Sequence, residues 1–400
     1  MQISPDWLRD RSLQLVMERI SAQGFEVYCV GGCVRDAMLG EDCSDIDLAT
    51  NARPHDLPKM FGTKPWTGDG DMFVSEDGFS LYPTGVAHGT WTVKHGDHTF
   101  EITSYRKDVD TDGRRATVLF ADTMEEDAER RDFTINALYM DRWGDVFDPT
   151  GTGVEDLRKG LVRFVGSAQE RVEEDYLRIL RYFRFYARFG RGKPDREAFD
   201  ACQQGAKRLS KKVAKERIWD EFGKILRLYS PSEALWQMDA AGILPLFGGR
   251  AAYTFSHVLL RERKFNIDPD WVARYVAVFG TYDDFPMSNA DRKQILAANN
   301  AANDYELTQG ALAHKYGADA ATSACLLTER EYRGSDIMRG SVANMPLSAK
   351  DLMNAGVEPG PVMGKLLAMA KQYWYTTDLR AKQEGLLIAA MDELVHTDGS

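Results

Sequence analysis

Two aspartates separated by a single residue carry the sharpest chemical signal in this 400-residue sequence. Asp45 and Asp47 flank Ile46 in a short segment, DIDLAT, that is typical of a β-strand. Side chains two residues apart in a strand point to the same face, so the two carboxylates would converge while Ile46 enters the core. Two adjacent like charges favour a cation between them, and carboxylate oxygens suit Mg²⁺. We therefore predict a magnesium site at Asp45 and Asp47.

A pair of glycines lies upstream of the aspartates and adds a phosphate-binding element. Gly31 and Gly32 follow a strand-like segment at residues 26–30 (EVYCV) and open a helix-like segment that ends at Gly40. A glycine turn at a helix N-terminus lets backbone N–H groups approach a phosphate with the help of the helix dipole. Arg35, one turn into that helix, is placed to contact a phosphate oxygen. The spacing differs from GxGxxG and GxxxxGKS/T, which disfavours dinucleotide and P-loop sites.

The elements that must hold these residues change character along the chain. The first third mixes strands and helices, including a strand-like hairpin from Thr90 to Tyr105 with its turn at His95 to His98. After about Asp156, apolar residues recur at three- and four-residue spacing, which predicts amphipathic helices. The expected fold class is α+β, with a small mixed sheet in a head that is followed by an all-helical region.

Glu101 is a third candidate acid for the metal site. It lies in FEITSYR, on the second strand of the predicted hairpin, and glutamate is not favoured in strands. The residues alone leave two interpretations open, a catalytic acid beside the aspartates or an ordinary strand glutamate.

Charge is distributed unevenly along the chain. The formal net charge of −11 disfavours a generic nucleic-acid binder. Residues 178–217 nevertheless contain thirteen Lys or Arg against four acids, which suits a phosphate backbone, although a solvated helical face would show the same pattern.

Membrane insertion and secretion are not expected from the sequence. There is no apolar run of about 18 residues, and the start, MQISPDWLRD, lacks the features of a signal or transit peptide. The five cysteines are unevenly spread and are expected to be reduced thiols. The expected location is the cytoplasm.

Five segments, in order, resemble the motifs of the class II tRNA nucleotidyltransferase and bacterial poly(A) polymerase family, whose head is of the DNA polymerase β type. They are VGGCVRDAMLG with SDIDLATNARP, RRDFTINALYMD (130–141), DPTGTGVEDLRKGLVRFVG (148–166), EEDYLRILRYFRF (173–185) and AKERIWDEFGKIL (214–226). Two later segments, GILPLF (242–247) and AGVEPGPVMGKLL (355–367), are similar to the family's helical body and tail. The resemblance implies a catalytic head at residues 1–150, a base-recognising helical neck at 151–230, a helical body at 231–345 and a tRNA-binding tail at 346–400.

The resemblance also implies roles for individual residues. Asp45 and Asp47 match the carboxylates that bind Mg²⁺, and Gly32 and Arg35 match the pair that contacts the triphosphate. The remaining matched positions are Arg131 at the nucleotide, Asp132 and Asn136 near the sugar, and Asp175, Arg178, Arg181 and Arg184 at the incoming base and phosphates. Glu174 is a candidate for orienting Arg178.

The spacing within residues 173–185 agrees with a ligand-facing helix. Asp175, Arg178, Arg181 and Arg184 follow one another at i+3, while apolar residues occupy another arc. A carboxylate beside a guanidinium presents an acceptor next to a donor. That pattern pairs with the Watson–Crick edges of cytosine and adenine and disfavours uracil and guanine.

The activity implied by the resemblance is template-independent addition of C, C and A to the 3′ end of tRNA, from CTP and ATP, with two Mg²⁺ ions and release of pyrophosphate. Residues 105–132 resemble the flexible loop that the family needs to switch from C to A, which disfavours CC-only addition. A strongly basic C-terminal extension is absent, which disfavours a poly(A) polymerase. Partial (CC- or A-only) addition and poly(A) synthesis remain the alternatives within the family, and a catalytically inactive RNA-binding protein is the alternative outside it.

One stretch departs from the family pattern. Residues 62–83 are longer than the family pattern requires at this point. We predict an inserted surface loop or hairpin, because long surface insertions cost little free energy.

Overall fold

A computed structural model describes residues 1–43, 45–65, 72–109, 117–282 and 284–397. These residues belong to two units, Met1–Val213 and Ala214–Ser400. All strands of the described ranges lie in the first unit, and the second unit is helical there. The predicted α+β class is therefore confirmed, whereas the finer division at residues 150, 230 and 345 stays a prediction.

The first unit is built on a mixed sheet. The strands of the unit, in chain order, are β1 (Val27–Val30), β2 (Asp47–Thr50), β3 (Lys64–Pro65), β4 (Phe73–Val74), β5 (Phe79–Gly85), β6 (Thr90–His95), β7 (His98–Ser104), β8 (Arg106–Val109), β9 (Thr117–Phe120), β10 (Tyr139–Met140) and β11 (Val146–Phe147). The sheet order is β11-β10-β1-β2-β7-β6-β5-β4-β3, and β8 with β9 forms a separate two-stranded ribbon. Only β2 and β7 pair in parallel among these neighbours.

Alternating burial explains why these segments form a sheet with one packed face. Residues at every second position are buried on three consecutive strands: Phe79 and Leu81, Trp91 and Val93, Phe100 and Ile102. Strand side chains alternate between the two faces, so this pattern places one face in the core and leaves the other accessible. The hairpin predicted between Thr90 and Tyr105 is confirmed as β6 and β7.

The helices of the first unit flank this sheet and continue beyond it. They are α1 (Arg11–Ser21), α2 (Gly32–Met38), α3 (Leu57–Met60), α4 (Met124–Glu129), α5 (Gly153–Lys159), α6 (Ala168–Glu174), α7 (Leu177–Phe189) and α8 (Arg196–Lys212), with 3₁₀ helices at Asp6–Arg9, Val86–His88 and Thr134–Asn136. The amphipathic α7 buries apolar side chains that include Ile179, Leu180 and Phe183. The expected apolar arc of this helix is therefore present.

The prediction that Asp45 lies within a strand is wrong. Strand β2 begins at Asp47, because its pairing with β7 begins at Asp47 opposite Glu101 and its pairing with β1 begins at Leu48 opposite Cys29. Asp45 has no ladder partner and precedes the strand. The shared-face argument from strand periodicity therefore does not apply to this pair.

The prediction of a single helix over residues 173–185 is also wrong at its start. Helix α6 ends at Glu174, and Asp175 adopts an extended conformation with φ −150° and ψ 106°. The Asp175 carboxylate accepts a hydrogen bond from the Leu177 amide at 3.0 Å, a local side-chain contact that competes with helix continuation. Asp175 therefore stands before α7, while the three arginines that follow it lie on the helix.

The predicted insertion extends the sheet. Strands β3, β4 and the start of β5 lie within residues 62–83 and occupy the sheet edge in antiparallel order. Residues 66–71 of this stretch lie outside the described residues. The stretch therefore forms edge strands, and Phe79 and Leu81 within it are buried in the core rather than on the surface. Its status as an insertion relative to the family stays a prediction.

The second unit consists of helices in the described ranges. They are α9 (Lys215–Leu226), α10 (Ser232–Ala240), α11 (Tyr253–Phe265), α12 (Trp271–Phe279), α13 (Asn289–Asn303), α14 (Gln309–Tyr316), α15 (Ala318–Leu327), α16 (Gly334–Ser341), α17 (Ala349–Asn354), α18 (Pro361–Thr376) and α19 (Gln383–Thr397), with a 3₁₀ helix at Leu244–Phe247. Among the described residues, no helix is both long and apolar enough to cross a membrane.

A buried arginine ties three helices of the second unit together. Arg274 on α12 is 1% exposed, and its guanidinium donates to Glu262 on α11 at 2.9 Å. It also donates to the Leu226 carbonyl at the end of α9 at 2.7 Å. A buried charge is tolerated only when it is paired, so Glu262 is the residue that makes this arrangement stable.

We predict that Glu262→Gln lowers the free energy of unfolding by about 3–5 kcal/mol, because it leaves the Arg274 charge buried without a counter-ion. Asp220→Asn is the matched control, since it removes an exposed partner of Lys224 in the same unit and should cost about 0–1 kcal/mol. Urea-induced unfolding of both variants measures the difference. Equal midpoints would show that the Glu262 charge does not support the fold.

Candidate active site

Asp47 and Glu101 lie opposite each other on neighbouring parallel strands. The register of β2 and β7 pairs them directly, so both side chains project from the same face of the sheet. The next pair, Leu48 and Ile102, is fully buried on the other face. Burial raises the pKa of Asp47 to about 6, the Glu101 charge adds to this shift, and the Arg131 charge opposes it. The two predicted acids therefore meet at one place.

Asp45 completes an acidic group whose chemistry fits a divalent cation. It is exposed just before β2, and its charge also contributes to the raised pKa of Asp47. Within the described ranges, no three His, Cys, Asp or Glu side chains are already arranged to hold a metal. Mg²⁺ is usually bound by one or two carboxylates together with substrate phosphates and water, rather than by a cage of protein ligands. The donor set at Asp45 and Asp47 fits that mode.

The glycine turn predicted between β1 and α2 is present. Gly31 precedes α2 with φ 76° and ψ −118°, a conformation that glycine adopts far more readily than other residues. Its N–H donates to the Leu138 carbonyl at 3.0 Å, which ties the turn to the chain just before β10. A β-carbon at Gly31 would lie 3.5 Å from Nη1 of Arg131, so the absence of a side chain brings this arginine close to the turn.

Arg35 is buried beneath the glycine turn. It is 5% exposed, its Nε donates to Asp36 at 2.8 Å, and its Nη1 donates to the Asn136 side-chain carbonyl at 2.5 Å. Its guanidinium lies 4.2 Å from the ring centroid of Phe189 on α7, a distance at which a cation and an aromatic ring attract. Arg35 therefore joins α2 to α7. Its direct contact with a triphosphate stays a prediction.

A chain of hydrogen bonds links Arg35 to the arginine row of α7. The Asn136 amide donates to Asp132 at 3.1 Å, and Asp132 accepts a hydrogen bond from Nε of Arg181 at 2.8 Å. Burial alone would raise the pKa of Asp132, but the Arg181 charge and the Asn136 amide lower it below its usual value. The structure thus brings together four residues that the sequence placed at the triphosphate, the sugar and the base.

Glu174 holds Arg178 as the sequence suggested. The two side chains form an ion pair across the break between α6 and α7, and Nη1 of Arg178 also donates to the Arg171 carbonyl at 3.0 Å. Asp175 lies between these residues, with its carboxylate on the Leu177 amide. Arg184, two turns along α7, packs over the Phe185 ring at 4.6 Å. Asp175 and Arg178 therefore both lie at the start of α7, each held by a neighbouring group.

Comparison with known proteins supplies an independent finding. A family described as the poly A polymerase head domain matches residues 27–163, and one described as the probable RNA and SrmB-binding site of polymerase A matches residues 193–247. The human mitochondrial CCA tRNA nucleotidyltransferase 1 is 31% identical over 413 aligned residues, which cover 96% of this chain and 91% of that protein. The chain belongs to the CCA tRNA nucleotidyltransferase family. The resemblance seen in the sequence is confirmed.

Other relatives of this family agree. The CCA-adding enzyme of Oceanobacillus iheyensis is 35% identical over 297 residues, covering 72% of this chain and 68% of that enzyme. The solved structure of the Bacillus stearothermophilus CCA-adding enzyme in complex with CTP matches with a TM-score of 0.67 at 22% identity, over 99% of each chain. The Thermotoga maritima CCA-adding enzyme complexed with tRNA matches with a TM-score of 0.67 at 18% identity, over 98% of this chain and all of that one. At these identities the two structures show a shared fold.

Several residues that hold the site were missed by the sequence reasoning. Asp36 pairs with Arg35, and Asp127 pairs with Arg131. A signal was present for Asp127, which precedes Arg131 by four residues, because acid–arginine pairs at this spacing meet on a helix. The contact of Phe189 with Arg35 had no such signal, since it depends on how α7 packs against α2.

We predict that Gly31→Ala weakens binding of a nucleoside triphosphate. A β-carbon at this backbone conformation costs about 1–3 kcal/mol in strain. It would also fill the space beside the turn, in van der Waals contact with Nη1 of Arg131 at 3.5 Å. Gly24→Ala is the control, because Gly24 has a similar φ of +80° and no atom within 4 Å of the added carbon. Melting temperatures with and without nucleotide separate the effects. Both variants should melt earlier, and only Gly31→Ala should lose the shift caused by nucleotide.

Proposed function

We propose that this protein adds C, C and A to the 3′ end of tRNA from CTP and ATP, releasing pyrophosphate. The observation that carries the proposal is the pairing of Asp47 with Glu101. The charge of Arg131, the arginine at the glycine turn, acts on Asp47. Membership in a family whose relatives are named CCA tRNA nucleotidyltransferase and CCA-adding enzyme supports it. Relatives of the same fold have been solved with CTP and with tRNA.

The metal of the proposed reaction is Mg²⁺, held by Asp45 and Asp47 with Glu101 as a third acid. When bound, a pair of such ions lowers the pKa of the attacking 3′-hydroxyl and stabilises the charge of the leaving pyrophosphate. Burial is the main cause of the raised pKa of Asp47, and the charges of Glu101 and Asp45 add to it. That added repulsion supports the assignment, because a cation among the carboxylates would relieve it. Asp47 and Glu101 are positioned by the sheet, so little reorganisation is needed when substrate arrives.

The arginine network, which consists of Arg35, Arg131 and Arg181 with Asn136 and Asp132, would hold the triphosphate and sugar. Nη1 of Arg131 would lie 3.5 Å from a β-carbon at Gly31, and the Arg131 charge lowers the pKa of Asp47. Gly32 is the first residue of α2. Arg35, Asn136 and Asp132 form the hydrogen-bonded chain behind them. We propose that Arg131 and Gly32 face the triphosphate, while the chain keeps Asn136 and Asp132 at the sugar and Arg181 and Arg184 toward the base and phosphates.

Base selection would fall to Asp175 and Arg178. Arg178 is ion-paired with Glu174, and the Asp175 carboxylate accepts a hydrogen bond from the Leu177 amide. We propose that these two side chains present one donor and one acceptor to the base. Cytosine and adenine complement this pair, whereas uracil and guanine place like groups against it. A pair that is held in place before binding loses little side-chain entropy on contact.

The tRNA would be held by basic helices of the neck and by the tail at residues 346–400. Helix α8 ends in four exposed cations, Lys207, Arg208, Lys211 and Lys212. They lie within residues 193–247, the range that matches the RNA-binding family. Cytoplasmic location stays a prediction, because the relatives include mitochondrial enzymes.

An incorporation assay tests the proposal. Transcripts of tRNA that end before the first C, after one C and after two C residues are incubated with Mg²⁺ and each labelled NTP in turn. CCA addition predicts C, C and then A. Addition that stops after two C residues, addition of A alone, or growth of an A tail would each identify a partial enzyme or a poly(A) polymerase, and no incorporation would favour an inactive RNA-binding protein.

We predict that Asp45→Asn and Asp47→Asn each abolish addition while tRNA affinity stays near that of the wild type, because these carboxylates act on the transition state. Glu101→Gln should reduce the rate as well. Asp97→Asn, an exposed acid in the turn of the same hairpin, is the control and should leave the rate unchanged. Single-turnover rates and filter binding of tRNA measure the two quantities. Normal turnover in either aspartate variant contradicts the assignment.

We predict that Arg178→Ala and Asp175→Asn admit UTP or GTP. Each lost hydrogen bond to a charged group is worth about 1.5–3 kcal/mol, or roughly 10- to 150-fold in discrimination. Asparagine retains an oxygen for the Leu177 amide, so the start of α7 should survive. Glu173→Gln is the matched control, because Glu173 is exposed and bonds Gln169. Values of kcat/KM for the four nucleotides measure the change in discrimination. Equal losses for all four would mean that the pair supports structure alone.

A further inference from the structure

Asp127 has no role in the proposed reaction, yet it lies at the centre of a buried network that includes Arg131. It is on α4 and 1% exposed, yet it accepts hydrogen bonds from four different residues. They are Arg106, Arg130, Arg131 and Tyr139. A carboxylate this enclosed is tolerated because every side is occupied by a donor.

The two oxygens of Asp127 face two different parts of the molecule. One oxygen, Oδ1, accepts the backbone N–H of Arg106 at 3.1 Å, at the first residue of β8, and Nε of Arg130 at 2.9 Å. The other, Oδ2, accepts Nη2 of Arg131 at 2.9 Å and the Tyr139 hydroxyl at 2.7 Å. The Tyr139 hydroxyl in turn accepts Nε of Arg131 at 3.0 Å. One carboxylate therefore joins the β8–β9 ribbon to the arginine at the glycine turn.

The contact orients Arg131 as well as neutralising it. Asp127 and Tyr139 engage Nε and Nη2, the edge of the guanidinium that faces away from the glycine turn. The remaining nitrogen, Nη1, lies toward Gly31, and a β-carbon added at Gly31 would be 3.5 Å from it. Burial by itself would raise the pKa of Asp127, but the Arg131 and Arg130 charges outweigh it and lower the pKa to about 2. The carboxylate is therefore charged throughout the neutral range.

We propose that Asp127 is a positioning residue that couples the β8–β9 ribbon to nucleotide binding through Arg131. The ribbon is held to the rest of the first unit at its start by this carboxylate, and Arg131 is aimed by the same group. A shift of either partner changes the hydrogen bonds available to the other. Linkage then requires that nucleotide binding at Arg131 tightens the ribbon, and that loosening the ribbon weakens nucleotide binding by the same factor. This inference rests on the proposed role of Arg131 at the nucleotide.

The test is a double-variant comparison on the full chain, with the dissociation constant for CTP as the readout. Asp127→Asn should weaken CTP binding about tenfold, the value of one charge-assisted hydrogen bond. Arg131→Lys should weaken it also, because lysine lacks the planar fork. In the Arg131→Lys background, Asp127→Asn should add less than about twofold, since coupled residues are not additive. Full additivity of the two losses would overturn the proposal.

Hydrogen exchange supplies a second readout that a purely structural role would not change. In the wild type, CTP should slow exchange of the amides of residues 106–109, and this response should be absent in Asp127→Asn. Glu126→Gln is the matched control, because Glu126 is the adjacent acid on α4 and bonds Lys107 on the same strand at 2.9 Å. It should retain both CTP affinity and the response. A CTP response that persists in Asp127→Asn would refute the coupling.

Tyr139→Phe covers the case in which Asp127→Asn does not fold. It removes a single hydroxyl that bonds both Asp127 and Arg131, so the same comparison with Arg131→Lys can be made on it. Its loss of CTP affinity should also shrink in the Arg131→Lys background, and additivity would again overturn the proposal. Both readouts measure binding, so they decide the coupling even if the wild type fails to extend tRNA, which would refute the proposed function instead.

Discussion

The burial of arginine is the constraint on which the first unit depends. A guanidinium stays charged in proteins, and an unpaired buried charge costs several kcal/mol, roughly 3–5 in measured cases. Four arginines of the candidate site accordingly have an acid: Arg35 with Asp36, Arg131 with Asp127, Arg178 with Glu174, and Arg181 with Asp132. These acids come from α2, α4, α6 and the segment before the 3₁₀ helix at Thr134–Asn136. Pairing the charges therefore fixes those elements around one face of the sheet.

The acids on the sheet differ from these arginines, because they lie next to other acids. Asp47 faces Glu101 across the parallel strands, and the charge of Asp45 also acts on it. The positive charge that lowers the pKa of Asp47, that of Arg131, is itself bonded to Asp127. The arginines are thus paired without ligand, whereas the acidic group is left with repulsion that a cation relieves. A metal-dependent transfer site requires this combination of paired arginines and mutually repelling acids, because donors fixed beforehand need not reorganise as charge develops.

The same pairing connects the residues proposed to recognise the base with those proposed to recognise the phosphates. Arg181 reaches Asp132 from α7, and Asn136 passes the contact to Arg35 on α2. Arg188, one turn after Arg184, adds a bond to Asp36 at 3.2 Å. Because α7 also carries Arg178, the helix proposed to read the base is held by Asp132, Asn136 and Arg35, the residues proposed to serve the sugar and the triphosphate. Its position is therefore set by several charged contacts rather than by apolar packing alone.

The sequence by itself determined the fold class, the glycine turn, the β6–β7 hairpin and the identity of the chemical groups, because each depends on local periodicity or on a short motif. It placed Asp45 in a strand and Asp175 on a helix, and both were wrong, since strand and helix ends depend on partners that spacing does not reveal. Only the tertiary structure placed Glu101 opposite Asp47, set Phe189 over Arg35 and gave Asp127 its two sets of donors. Those contacts join residues from separate elements, and they are decided by how charges find partners once the elements pack.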